Sequence, residues 1–300
     1  MRPITLYVIG NGFDLWHGIP SGLGAFKQHV LDTDRAIHRE VENYLPAGED
    51  WCDLELALAE LDADMLVDNL GHFMGSYGDE DWSDSGHHDV QYEVGNVVER
   101  LSTGLRMRFA EWIRTLPIPT PETAPRRLAR LDSGALFLSF NYTSTLSRLY
   151  GVDPARVLHI HGCADEANAE LVLGHAWNPR SRRSLNERAD IEEIDTRLVE
   201  ANDTIDDYFS ATFKRSEELI AQHRPFFEAL DNVEHVVVLG HSLSPVDATY
   251  FRTLLQQRGI AAARWTVACR NAEEWPEKEQ RLIDMGLQPG ACRPVPWDAL

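Results

Sequence analysis

The chain of 300 residues is poor in cysteine. Cys52, Cys163, Cys269 and Cys292 are too far apart for a CxxC pair. That spacing excludes a zinc ribbon and a disulfide framework, and a reducing cytosol is the expected compartment. Long apolar runs are missing too. Ile4 to Ile9 is too short for a signal-peptide core or a membrane span, so neither is expected. Basic residues are scarce: 28 Lys and Arg stand against 48 Asp and Glu, a formal net charge of −20. This balance argues against a large nucleic-acid footprint and against an anionic membrane surface. No Lys or Arg falls between Arg39 and Arg100, which reads as a solvated acidic face or as a docking surface for a basic partner. HEXXH is absent, His87 and His88 have no partner at a metal-ligand spacing, and no metal is expected.

What is present is an alternation of short apolar runs with helical patterns. Thr5 to Ile9, ALFLSF (Ala135 to Phe140), VLHIH (Val157 to His161), LVLG (Leu171 to Gly174), HVVVLG (His235 to Gly240) and RWTVAC (Arg264 to Cys269) read as buried parallel strands. Trp51, Leu54, Leu58, Leu61 and Met65 recur at spacings of three and four, as one helix face does. Val90 to Leu116, Ile205 to Leu230 and Val246 to Arg258 read as helical. Strands alternating with helices predict one α/β domain over residues 1–300, a Rossmann-like parallel sheet with helices on both faces. Residues 26–130 break the rhythm and are read as a large helical insertion after the first strand. Within it, Gly75 to His88 reads as a loop, and Pro117, Pro119, Pro121 and Pro125 mark the connector back to the sheet.

The first strand runs into GNGFDLWHGIPS, Gly10 to Ser21. Glycine permits positive φ and close backbone approach, and a helix N-terminus aims free N–H groups at one point. Such a turn suits a pyrophosphate, yet GNGFDL is not a full GxGxxG, because Leu15 stands where the third glycine would be. Three more strands deliver polar residues at their carboxyl ends: LSFNYTST at Asn141, HIHG at His161 and Gly162, and VVVLGHSLSPVD at Gly240. In open parallel sheets ligands bind outside those ends.

The set resembles the sirtuin-type NAD-binding fold. Gly10-Asn11-Gly12-Phe13-Asp14, three residues, then Gly18-Ile19-Pro20 is similar to its GAG-x-S…GIP. Asn141 is similar to the Asn of its TQN-x-D strand end, His161-Gly162 to its catalytic His before Gly, and Gly240-His241-Ser242-Leu243 to its late GTSL. The fuller combination of GNGFD, W-x-D-L-E (Trp51 to Glu55), FNYT, HIHG and GHSL…D resembles the AbiH family of bacterial abortive-infection proteins over most of the chain. The departures are informative. Phe140 and Thr143 stand where sirtuins have Gln and Asp, Ser21 where Asp follows GIP, and the zinc module is absent, so protein deacylation is not implied.

The resemblance implies NAD as substrate, cleaved to nicotinamide and ADP-ribose in antiphage defence. Asn141 would orient the ribose and a water, and His161 would be the general base. Gly10, Asn11, Gly12, Phe13 and Asp14 would cradle the pyrophosphate; Gly240 and Ser242 would meet the adenosine side, and Asn271 the adenine or its ribose. The residues leave alternatives open. Asn141 also suits a plain turn, His161 a packed strand end, His159 the role of base, Asp14 a helix cap, and Trp51 and Glu55 the fastening of the insertion. His175 and His241 read as structural. Arg156 and His161 form an R-x-x-x-x-H string, which some ribonucleases carry on a helix, but here it falls on a strand. Rival functions are a nucleotide sensor without turnover, an ADP-ribosyltransferase and a nucleic-acid effector. The expected partners are a nucleotide, a phage-derived trigger and further copies of the chain.

Overall fold

In the computed structural model, residues 4–71, 89–166 and 170–300 are described. The expected loop from Gly75 to His88 lies outside them. The six strands are β1 (Ile4–Ile9), β2 (Leu136–Ser139), β3 (Val157–His159), β4 (Val233–Leu239), β5 (Arg264–Cys269) and β6 (Cys292–Pro296). The helices are α1 (Gly12–Trp16), α2 (Leu23–Thr33), α3 (Arg35–Tyr44), α4 (Leu54–Ala57), α5 (Ala63–Leu70), α6 (Asp89–Glu99), α7 (Leu105–Thr115) and α8 (Thr145–Tyr150). They continue with α9 (Thr196–Ala211), α10 (Ser216–Gln222), α11 (Arg224–Glu228), α12 (Ala248–Gln256), α13 (Arg258–Ala262) and α14 (Trp275–Asp284).

All strand pairs are parallel, in the order β3-β2-β1-β4-β5-β6. The carboxyl-terminal halves of the central strands β1 and β4, LYVI and VVVL, are uninterrupted apolar runs because both of their faces are covered. Side chains alternate across the sheet. Leu6 and Val8 of β1 and Val236 and Val238 of β4 join one core with Phe251 of α12 and Leu282 of α14. Tyr7 and Ile9, with Val237 and Leu239, join the opposite core with Phe13 of α1 and Leu146 of α8. The expected α/β sheet with helices on both faces is therefore present.

Three strand expectations are corrected. Leu171 to Gly174 forms no strand; a single bridge from His175 to Phe213 follows it. The VLHIH strand is shorter than expected and ends at His159, although the Ile160 N–H still reaches the Ser139 carbonyl at 3.0 Å. Cys292–Pro296 is a strand that sequence reading missed, since Pro294 and Pro296 argue against one. It is an edge strand, where proline is tolerated because one side needs no donor.

The chain divides into two compact units. The first holds residues 1–22, 110–172 and 215–300, and contains the whole sheet. The second holds residues 23–109 and 173–214, and its described residues are helical or irregular. Residues 26–130 are thus shared between the units, and α9 joins the helices that precede it. Within the second unit Phe26 meets Trp51 and Phe109 edge-on, at 5.8 and 5.2 Å between ring centres. Lys214, fully buried, is paired with Glu55 at 2.8 Å, and the Trp51 indole donates to Glu42 at 2.6 Å. Both marked residues of W-x-D-L-E are thereby engaged in fastening this unit.

Candidate functional site

The strand order reverses direction between β1 and β4, so the connections from these two neighbours leave toward opposite sides, and it is outside the carboxyl ends at such a reversal that open parallel sheets bind ligands. Register brings Ile9 level with Leu239 on one side and Ser139 on the other. Gly10, Asn141 and Gly240 therefore leave the sheet close to the same height.

The loops after β1 and β4 interlock through backbone. The Gly10 N–H donates to the Leu239 carbonyl at 2.9 Å, and the Gly12 N–H to the Gly240 carbonyl at 2.8 Å. A Cβ on Gly240 would lie 2.1 Å from the Phe13 nitrogen, and φ there is +70°. A Cβ on Gly10 would lie 2.5 Å from the His241 Cα. These glycines are thus required by the approach of two loops, and the N–H groups of Gly10, Gly12 and Phe13 are spent inside the protein, the last on the Gly10 carbonyl. The Phe13 side chain is buried in the core against His17. Asn11 is tied to the GIP turn: its amide donates to the Ser21 carbonyl at 2.8 Å and accepts from the Ser21 hydroxyl at 2.5 Å. Ser21, where sirtuins carry Asp, is what closes this turn onto the glycine loop.

Asp14 does not cap α1; Asn11 holds the cap position, without a side-chain bond. Asp14 is 1% exposed, and its Oδ2 accepts from the Thr143 hydroxyl at 2.6 Å. Thr145 lies 3.0 Å from Thr143, hydroxyl to hydroxyl. Burial raises the Asp14 carboxyl to about 6, against the lowering pull of Thr143, Thr145 and Asn141. Asp14 Oδ1 and both amide atoms of Asn141 are buried without a hydrogen bond of normal length, the amide lying near enough to the carboxyl to lower its pKa. Native proteins rarely leave such groups unmet, so a cluster of them at the carboxyl end of the sheet marks where polar atoms of a ligand or water belong. Thr143 and Thr145 were missed by sequence reading, which looked for an acid at position 143.

Asn141 is held through its backbone. Its N–H donates to the Ser139 hydroxyl at 3.2 Å, and its carbonyl accepts from His159 Nδ1 at 2.9 Å. Burial lowers the His159 pKa below its ordinary value. His161 lies just past β3 and is 2% exposed. Phe140, Tyr142 and Tyr250 surround its ring, whose Nε2 is 3.3 Å from the Tyr250 hydroxyl and 3.8 Å from Asp247 Oδ1. Arg156 precedes β3, donates to the Gly134 carbonyl, and is separated from His161 by the strand, so the R-x-x-x-x-H string makes no pair. Tyr250 and Asp247 were also missed; the Asp of GHSL…D is the trace they leave in the sequence.

The residues expected on the adenosine side are spread more widely. Ser242 is exposed after β4, its carbonyl accepting from Arg281 at 2.8 Å. Asn271 is exposed after β5, and its Oδ1 caps a turn by accepting from the Glu273 and Glu274 N–H groups. In the second unit both ring nitrogens of His175 are engaged, with the Phe209 carbonyl and the Trp177 N–H. Among the described residues no three His, Cys, Asp or Glu side chains gather as a metal site, and no helix is long and apolar enough to cross a membrane.

No curated protein and no solved structure matches this chain. The family described as Bacteriophage abortive infection AbiH matches residues 6–269, from the third residue of β1 to the end of β5, and the chain belongs to that family.

Proposed function

We propose that this AbiH protein cleaves NAD to nicotinamide and ADP-ribose as the damaging step of abortive infection. The observation that carries the reading is the unpartnered amide of Asn141, buried beside Asp14 where the sheet order reverses. An amide donates and accepts at once, and a carboxylate accepts, so the pair suits a ribose hydroxyl and a water together. The bond to be broken joins ribose C1′ to a pyridinium nitrogen. Its electron pair goes to that nitrogen, and nicotinamide leaves neutral without an acid. The transition state is oxocarbenium-like. Water adds to C1′, and its proton passes to His161 as general base. His161 is enclosed, so its ring must be uncovered before water reaches it. A resting chain would then be latent, as a protein that consumes NAD within its own cell must be.

The enclosure of His161 equally favours a second reading, a sensor that binds the nucleotide without turnover. One experiment separates them: nicotinamide and ADP-ribose resolved by chromatography after incubation of NAD with the purified chain, beside Asn141→Ala and His161→Ala. Hydrolysis lost in both variants supports the enzyme. Binding of NAD with no nicotinamide release, even with infected-cell lysate added, supports the sensor. Hydrolysis that survives both changes refutes the site.

A further inference from the structure

Asp247 lies between two histidines, and all three are buried. The Leu243 N–H donates to His241 Nδ1 at 2.8 Å. A neutral imidazole has one N–H, so with Nδ1 accepting, that proton sits on Nε2. His241 Nε2 faces Asp247 Oδ2 at 3.4 Å; His161 Nε2 has the Tyr250 hydroxyl, which can accept from it, at 3.3 Å and the charge-bearing Asp247 Oδ1 behind it at 3.8 Å. The Phe140 ring stands edge-on to both imidazoles, 5.3 Å from His161 and 4.4 Å from His241. The turn that delivers the Leu243 N–H is strained. Leu243 takes a φ of +58°, a region that disfavours branched side chains, and it is wholly buried. Strain of this kind persists where the surroundings over-determine it and gathers at functional sites. Here it sets the tautomer of His241, and so directs an N–H at the carboxylate.

We infer that Asp247 is a positioning residue for His161: its carboxylate, held by His241, keeps the His161 proton on Nε2 and leaves Nδ1 as the basic nitrogen. The consequence for rate rests on the NAD-cleavage reading; the consequence for the tautomer rests on this geometry alone. A structural aspartate would stabilise the fold without selecting a tautomer, so the tautomer is the decisive readout.

The test is a long-range ¹H–¹⁵N spectrum of the imidazoles in the full chain, with His161 assigned by His161→Gln, beside NAD kinetics. The wild type should show His161 as the Nε2–H form. Asp247→Asn, which turns an amide toward that nitrogen, should shift His161 to the Nδ1–H form and lower kcat at least about a hundredfold, with KM nearly unchanged. Tyr250→Phe should leave the tautomer as it was. A wild-type His161 in the Nδ1–H form overturns the inference without any variant, which decides the matter should Asp247→Asn not fold. An unchanged tautomer in folded Asp247→Asn also overturns it. A tautomer that switches in a chain with no NAD turnover upholds the positioning role and removes the hydrolase reading.

Discussion

Asp14 lies in α1 and His17 caps its end, and burial moves their proton affinities in opposite directions. The Asp14 carboxyl is raised to about 6, while the His17 imidazole, held between the Phe13 carbonyl and the Tyr150 hydroxyl, is lowered to about 4. The folded chain keeps the Asp14 proton to higher pH than an unfolded one, whose carboxyl titrates near ~3.9. Stability therefore falls as pH rises from about 4 to 6, by on the order of 3 kcal/mol. His17 stays neutral in the folded chain while an unfolded one takes up a proton near ~6.5. Its share of stability falls as pH drops from about 6.5 to 4, by a similar amount. The two slopes oppose each other across that window. Asp14→Asn should expose the His17 slope, with urea-derived stability falling by on the order of 3 kcal/mol between about pH 6.5 and 4. His17→Gln should expose the reverse slope, and a flat profile in both variants would contradict the assignment. Asn141 leads to a different expectation. Its amide is unmet, so Asn141→Leu should stabilise the ligand-free chain by about 1 kcal/mol in the same assay while NAD turnover is lost. Asn141 was legible in the sequence as a polar residue at a strand end. The bond from Thr143 to Asp14 was not, because it joins α1 to the turn after β2, far apart in the chain.

At the scale of elements, the turns after β1 and β4 depend on each other's lack of side chains. Gly240→Ala places a methyl carbon 2.1 Å from a backbone nitrogen at positive φ. The backbone has no flexible end to yield, so the loops must separate, at more than about 3 kcal/mol. Thermal unfolding should show a loss of many degrees or no folded yield, and a near-native midpoint would argue against the interlock. In the second unit Glu55→Leu removes a partner of the fully buried Lys214. It should cost on the order of 3 kcal/mol in denaturant unfolding, and much of that should return in Glu55→Leu with Lys214→Met. Legibility followed the pattern each element leaves. The strands buried on both faces, such as HVVVLG, were clear as uninterrupted apolar runs. LVLG shows the same pattern over four residues and is irregular, because nothing in so short a run separates a strand from a buried loop. CRPVP lacks the pattern and is a strand, because an edge position relaxes the demands on donors and apolar faces.

For the whole molecule, the parallel order was foreseeable as a class, but not the position of the reversal, which no local pattern encodes. Under the proposed function the ligand sits at that reversal, beside Asn141 and Asp14, and should report on global stability. NAD at about a hundred times its Kd would add about 2.7 kcal/mol. A rise of several degrees in Tm is expected for the His161→Ala chain, where turnover cannot deplete the ligand, and none for Asn141→Ala. An equal rise in both would place the ligand elsewhere. The balance of 48 carboxylates against 28 bases weighs against a polyanion as binding partner, and binding of nucleic acid that weakens steeply with salt would contradict it. The interlock of Gly10 with Gly240 also bears on synthesis. A ribosome delivers β1 well before the loop that follows β4. Every copy that stops short of Gly240 therefore lacks one of the two interlocked loops. Under the proposed function, the order of translation itself protects the host from unfinished copies of its own weapon.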